Sequence, residues 1–212
     1  MRTCLAPARM AEKAATPIIL ASASAVRARL LECAGVIFTI SPARVDEDGL
    51  RAAIRTDGGD GAAMAEALAV KKADQVSRLL TDALVIGVDQ VLECDRLILA
   101  KPGDRAEARA QLQGLSDRSH DQISSVAVMQ GGNLLWNHTD RARLTARAIS
   151  DEFLENYLDA AGDTALSGPG AYQIEGVGAQ LFSRIEGDYF TILGLPLIPL
   201  LDYLRSQQAL ET

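Results

Sequence analysis

The chain has 212 residues, 48% hydrophobic and 23% charged, enough to bury one core or one core with two lobes without disulfides or a structural metal. A net charge of −7 argues against a nucleic-acid polymer as partner, which needs a basic face, but not against a nucleotide, which a few local cations can hold. Three unpatterned cysteines (Cys4, Cys33, Cys94) and two histidines (His120, His138) argue against a disulfide framework, a zinc site and a Ser-His-Asp triad, and fit reduced thiols in a cytoplasmic protein.

Residues 1–16 mix Arg2, Arg9, Glu12 and Lys13 with alanines and read as a flexible extension; Met10 offers a second start. Nowhere do 18 uncharged apolar residues run together, so no membrane span is expected. Residues 17–212 read as one folded domain. The apolar run 17–21 predicts a buried strand, and Ser24 and Gly35 bracket a helix over 25–34. A second strand follows at 36–40, then a loop at 57–61 rich in Gly and Asp. A long helix is expected over 62–80 and a third strand over 83–92. Cys94-Asp95-Arg96 reads as a hairpin turn, and 104–115 as a helix. Two long strands, 121–130 and 133–147, are joined by Gly131-Gly132-Asn133. Ser150 caps a helix over 151–160. The glycine-rich stretch 162–178 is expected to hold a short strand, 180–183 another strand, and 196–207 the last helix. Helices alternating with strands, then a long hairpin, predict an α/β fold with a mixed sheet.

Ser22 and Ser24 lie between a strand and a helix start, with Arg27 one turn on. Free N–H groups, two hydroxyls and a guanidinium there make an anion site, or else a merely capped surface helix. Asp89 interrupts an otherwise apolar strand. A buried carboxylate needs a metal, a cation or backbone donors, so it is a base, a metal ligand or a structural group. Lys72 on the long helix and Lys101 at a strand end could meet phosphates or simply be solvated. Asp46-Glu47-Asp48 could supply a magnesium ligand or form a solvated turn. There is no P-loop, dinucleotide fingerprint or nucleophile elbow.

Seven short segments in order resemble the Maf family. They are Ile19-Leu20-Ala21-Ser22-Ala23-Ser24, Leu68-Ala69 with Lys72-Ala73, Ile86-Gly87-Val88-Asp89, Ile98 to Pro102, Leu115 to His120, Gly170-Ala171-Tyr172, and Ile185 to Tyr189 with Gly194-Leu195-Pro196. The usual loop SPRR is Ser24-Ala25-Val26-Arg27 here. Ala100 and Asp117 replace two usual glycines. The resemblance implies an elongated mixed-sheet α/β fold with two lobes around a cleft. It implies a nucleoside triphosphate pyrophosphatase with a divalent cofactor, Mg or Mn, and a homodimer. Asp89 would then be the base, with Ser22, Ser24, Arg27, Lys72 and Lys101 on the triphosphate and Asp46, Glu47 and Asp89 near the metal. The family's 7-methyl-GTP branch carries Trp, Gln and Glu where its dTTP/UTP branch carries Arg, Thr and Gln. Val26, Gln90 and Glu175 stand there in this chain, two of three matching the former. Alternatives are a dTTP/UTP-type enzyme, a phosphatase releasing orthophosphate, and a non-catalytic nucleotide-binding regulator of cell division.

Overall fold

A computed structural model describes residues 16–210, so residues 1–15 of the expected extension, with Cys4 and Met10, lie outside the described residues. The longest apolar run of the first half becomes the axis of the molecule, strand β3 (Leu84–Cys94). With β1 (Ile18–Leu20), β2 (Thr39–Ile40), β4 (Leu97–Leu99), β5 (Ser119–Gln130), β6 (Asn133–Ala146) and β7 (Phe182–Glu186) it forms one mixed sheet. The order is β2-β1-β3-β5-β6-β7, with β4 also on β3. β1 runs parallel to β2 and β3; every other pair is antiparallel.

One edge of β3 is divided. β1 pairs with Leu84, Val85 and Ile86, and β4 with Leu92, Glu93 and Cys94. Between them β3 is laddered on one side only, to β5. Seven helices flank the sheet among the described residues: α1 (Ala25–Cys33), α2 (Glu47–Thr56), α3 (Gly61–Ser77), α4 (Arg105–Leu115), α5 (Asp151–Ala161), α6 (Tyr189–Ile192) and α7 (Leu197–Ser206).

The alternation of a strand sends successive side chains to opposite faces. On one face Leu84, Ile86 and Val88 pack with α1 and α7, and further along Leu92 and Cys94 pack with α4 and α5. On the other face Val85 meets Ala69 and Ala73 of α3, and Val91 meets Met64 and Leu68. The apolar clusters on both faces break at one level, where Asp89 and Gln90 stand. Two lobes thus share a continuous sheet, and the gap between them is polar.

Helix α3 is pressed onto β3 at Gly87. A Cβ there would lie 2.2 Å from the Ala69 carbonyl oxygen and 2.6 Å from the Ala73 nitrogen. At the other end, Glu93 accepts a 2.8 Å bond from the Gly61 N–H. These two contacts fix the register of α3, and with it the place of Lys72.

Several expectations change. The acidic run 46–48, read as a magnesium ligand or a solvated turn, opens a helix over 47–56. Asp46 caps it by accepting from the Gly49 N–H, Glu47 and Asp48 sit in its first turn, and Arg55 in its last, all favourable to the helix dipole. The expected strand in 162–178 is absent: that stretch holds a 3-10 turn at Gly162–Leu166, and a second at Val177–Leu181 follows. Its apolar side chains, Tyr172 and Ile174, go into the core cluster under α4 and α5 instead of onto a sheet face. The last strand starts two residues later than expected, where pairing with β6 begins at Phe182. β3 runs through Cys94, leaving Asp95 and Arg96, at φ 48° and 66°, as a two-residue turn.

Candidate functional site

The gap between the lobes is a cleft of about 490 Å³, within the size range of small-molecule sites. It opens along the unladdered edge of β3, so Asp89 and Gln90 both line it although they point to opposite faces.

Asp89 is 4% exposed. Its Oδ1 lies 2.7 Å from Lys72 Nζ and its Oδ2 3.5 Å from Arg51 Nη2. Glu47 closes the arrangement, 2.7 Å from Lys72 and 3.3 Å from Arg51. Burial opposes the ionisation of Glu47, but the hydrogen bonds from Lys72 and Arg51 outweigh it and hold the carboxyl below the usual range. The two carboxylates share one ammonium, so both can face a single cation or water placed beside them.

On the other rim, Ser24 caps α1 through the Arg27 N–H. The Arg27 side chain is fixed by Nε to the Gly194 carbonyl at 2.8 Å and by Nη1 to Ser22 Oγ and the Val88 carbonyl at 3.2 and 3.1 Å. Burial lowers the guanidinium pKa, against the pull of Asp89 and Glu47. Ser22 is buried behind Arg27 and is not part of the cleft wall. Lys101 follows β4, is exposed on the cleft, and forms no ion pair with any described residue.

The family model described as Maf-like protein matches residues 17–207. The chain belongs to the Maf family. Among Maf relatives, a protein of Nitrobacter winogradskyi named nucleoside triphosphate pyrophosphatase is 52% identical, covering 92% of this chain and 96% of its own length. One of the same name from Paramagnetospirillum magneticum is 48% identical over 88% and 96%. One from Rhizobium meliloti named 7-methyl-GTP pyrophosphatase is 44% identical over 92% and 98%.

Of the residues singled out from the Maf resemblance, Ser24, Val26, Arg27, Glu47, Lys72, Asp89, Gln90, Lys101 and Glu175 all line the cleft. Asp46 does not: its carboxylate caps α2 and faces solvent. Gln90 donates to the Ile192 carbonyl at 2.8 Å, tying β3 to α6. Glu175 is exposed at the mouth.

Sequence reasoning missed Arg51, Gln122 and Tyr172, which also line the cleft. Arg51 was visible in principle as the partner of Glu47 four residues earlier on one helix.

Proposed function

We propose that this Maf protein is a nucleoside triphosphate pyrophosphatase that cleaves the α–β phosphoanhydride to give a nucleoside monophosphate and pyrophosphate. The observation that carries the reading is a buried carboxylate, Asp89, at the foot of a nucleotide-sized cleft, paired with Lys72 and Arg51 and faced by Arg27 on the other rim. The names of the Maf relatives support it. Attack on the α-phosphorus needs an activated water, charge neutralisation and an in-line leaving group. Asp89 takes the proton from water. Arg27, Arg51, Lys72 and Lys101 hold the triphosphate, with the Ser24 hydroxyl at the start of α1. Ser22 acts by orienting Arg27.

A divalent cation fits this donor set. Among the described residues the cleft is lined by four cations, Arg27, Arg51, Lys72 and Lys101, and four carboxylates, Glu47, Asp48, Asp89 and Glu175. A triphosphate brings about four negative charges that this balanced lining cannot neutralise alone. No group of three His, Cys, Asp or Glu side chains gathers as a metal cage among the described residues. Magnesium instead typically uses one or two carboxylates and the substrate's phosphates. Glu47 and Asp89 would hold it, and it would polarise the phosphates. Asp46 is engaged elsewhere and is the weaker candidate. A cytoplasmic place of action fits a nucleotide substrate; no described helix is long and apolar enough to cross a membrane.

For the base, we assign guanine, 7-methylated in the favoured substrate. Glu175 can accept from guanine N1–H and N2–H₂ together, whereas a pyrimidine offers one ring N–H at most. Its charge also favours a cationic 7-methylguanine over a neutral base. The test is a triphosphate panel with magnesium or manganese and product analysis. Monophosphate and pyrophosphate are expected, with Asp89→Asn reducing the rate on the order of 10²–10⁴-fold. Release of orthophosphate without pyrophosphate would overturn the reaction. Values of kcat/KM should favour 7-methyl-GTP over dTTP, with Glu175→Gln shrinking that ratio roughly ten-fold. A wild-type preference for dTTP would refute the base assignment alone.

A further inference from the structure

On the Gln90 side of the cleft, the wall contains a buried amide whose hydrogen bonding is incomplete. Gln122 of β5 lies opposite Leu92, and its neighbour Ile123 packs toward α3. The alternation therefore turns Gln122 to the face that carries Gln90. The residue is 4% exposed, yet it lines the cleft. Its Nε2 donates to the Tyr172 hydroxyl at 2.9 Å, and the same hydroxyl meets His120 Nε2 at 2.7 Å. The Gln122 carbonyl oxygen has no partner.

A buried acceptor left without a donor is destabilising, because its desolvation goes uncompensated. β5 could have carried a leucine here at no such cost, since Leu92 and Tyr172 surround the position. The imidazole beyond Tyr172 is kept neutral, its pKa pushed down to about 4 by burial, with Asp121 opposing. With its proton on Nδ1, the neutral imidazole accepts from the Tyr172 hydroxyl at Nε2, and that hydroxyl accepts from Gln122. In this tautomer the amide nitrogen is engaged and the carbonyl oxygen stands without a donor.

We propose that Gln122 is a specificity-determining residue that accepts a hydrogen bond from the exocyclic 2-amino group of a guanine base, with Tyr172 positioning its amide. The inference rests on the guanine reading given above. Glu175 and Gln122 then set two acceptors around one cleft, which suits a base whose edge presents three N–H hydrogens and suits poorly a base that presents one. Tyr172 touches no reacting atom. Its hydroxyl fixes which end of the amide is free, so it acts through Gln122.

The discriminating pair of substrates is GTP and ITP, which differ only in the 2-amino group. Measured on one preparation, the ratio of their kcat/KM values is independent of the fraction of enzyme that is folded. The wild type is expected to favour GTP. Gln122→Leu should lower kcat/KM for GTP roughly ten-fold and leave ITP nearly unchanged, so the ratio collapses toward one. Tyr172→Phe, which deletes only the hydroxyl, should lower the ratio in the same direction and covers the case in which the leucine variant does not fold. A wild type that prefers GTP to UTP, with the GTP/ITP ratio unchanged in both variants, would overturn this inference and leave the guanine reading standing. A wild type that prefers UTP to GTP would overturn both.

Discussion

Asp89, Lys72, Glu47 and Arg51 close a ring of two carboxylates and two cations at the foot of the cleft. Such a ring adds little to stability, because desolvation consumes most of the Coulomb gain. Its residue types make sense as a site held ready: Lys72 and Arg51 can turn to phosphate oxygens, which frees carboxylate oxygens for water and cation. Lys101 forms no pair among the described residues and needs no such exchange. Arg51 is the member whose role rests on geometry alone. Arg51→Ala should lower kcat/KM on the order of ten- to a hundred-fold, the worth of one hydrogen bond to a charged group. Arg55 lies one turn further along α2, exposed and off the cleft wall, so Arg55→Ala should leave kcat/KM unchanged. Equal losses in both variants would mean that α2 matters only as a packed helix.

At the scale of elements, the site depends on how tightly α3 lies on β3. Gly87 allows that approach, since a Cβ would sit 2.2 Å from the backbone oxygen of Ala69. Gly87→Ala must push the helix away and lengthen the reach from Lys72 to Asp89. Overpacking of this kind costs about 1–3 kcal/mol, a fall in Tm of roughly 5 °C for a domain of this size. The turnover rate should fall with it. Gly114, near the end of α4, has nothing within 4 Å of its missing Cβ. Gly114→Ala should therefore hold or raise Tm, alanine being the better helix former. A Gly87→Ala enzyme with unchanged Tm and kcat would show that α3 is not held at this contact. The same elements explain what could be read in the sequence. β5 and β6 were legible because an apolar run, Gly131-Gly132 at φ 56° and 81°, and a second run leave few options. Asp89 was legible because a carboxylate inside an apolar strand demands a partner. α2 was not, because only Leu50 and Ile54 mark its inner face and its three leading acids look like a cation-binding cluster. With α2 missed, Arg51 was missed. α6 has four residues, too few for any period to show. Gln122 was hidden for another reason: the polar start of β5, His120 to Gln122, is buried in this fold, and polarity in a sequence ordinarily signals exposure.

At the scale of the whole molecule, the two lobes are built on the same strands. β3, β5 and β6 run from the cluster under α1 and α7, past the cleft, to the cluster under α4 and α5. An elongated protein with separate cores could unfold in two steps, but here neither core can lose its packing without exposing strands that the other core needs. Three residues at the break, Asp89, Gln90 and Gln122, are tied by hydrogen bonds to α3, α6 and Tyr172, so the polar gap is itself bridged. Unfolding should therefore be a single cooperative transition. Trp136 is the sole tryptophan of the chain. It stacks on Tyr203 of α7 with centroids 4.9 Å apart and planes within 7°. Its fluorescence reports the α1 and α7 lobe, whereas far-UV circular dichroism reports helices of both lobes. The two signals should give superimposable denaturation curves with one midpoint. A tryptophan midpoint displaced from the dichroism midpoint would show that the lobes melt independently. The cleft would then be a junction between two folding units, and not a gap within one.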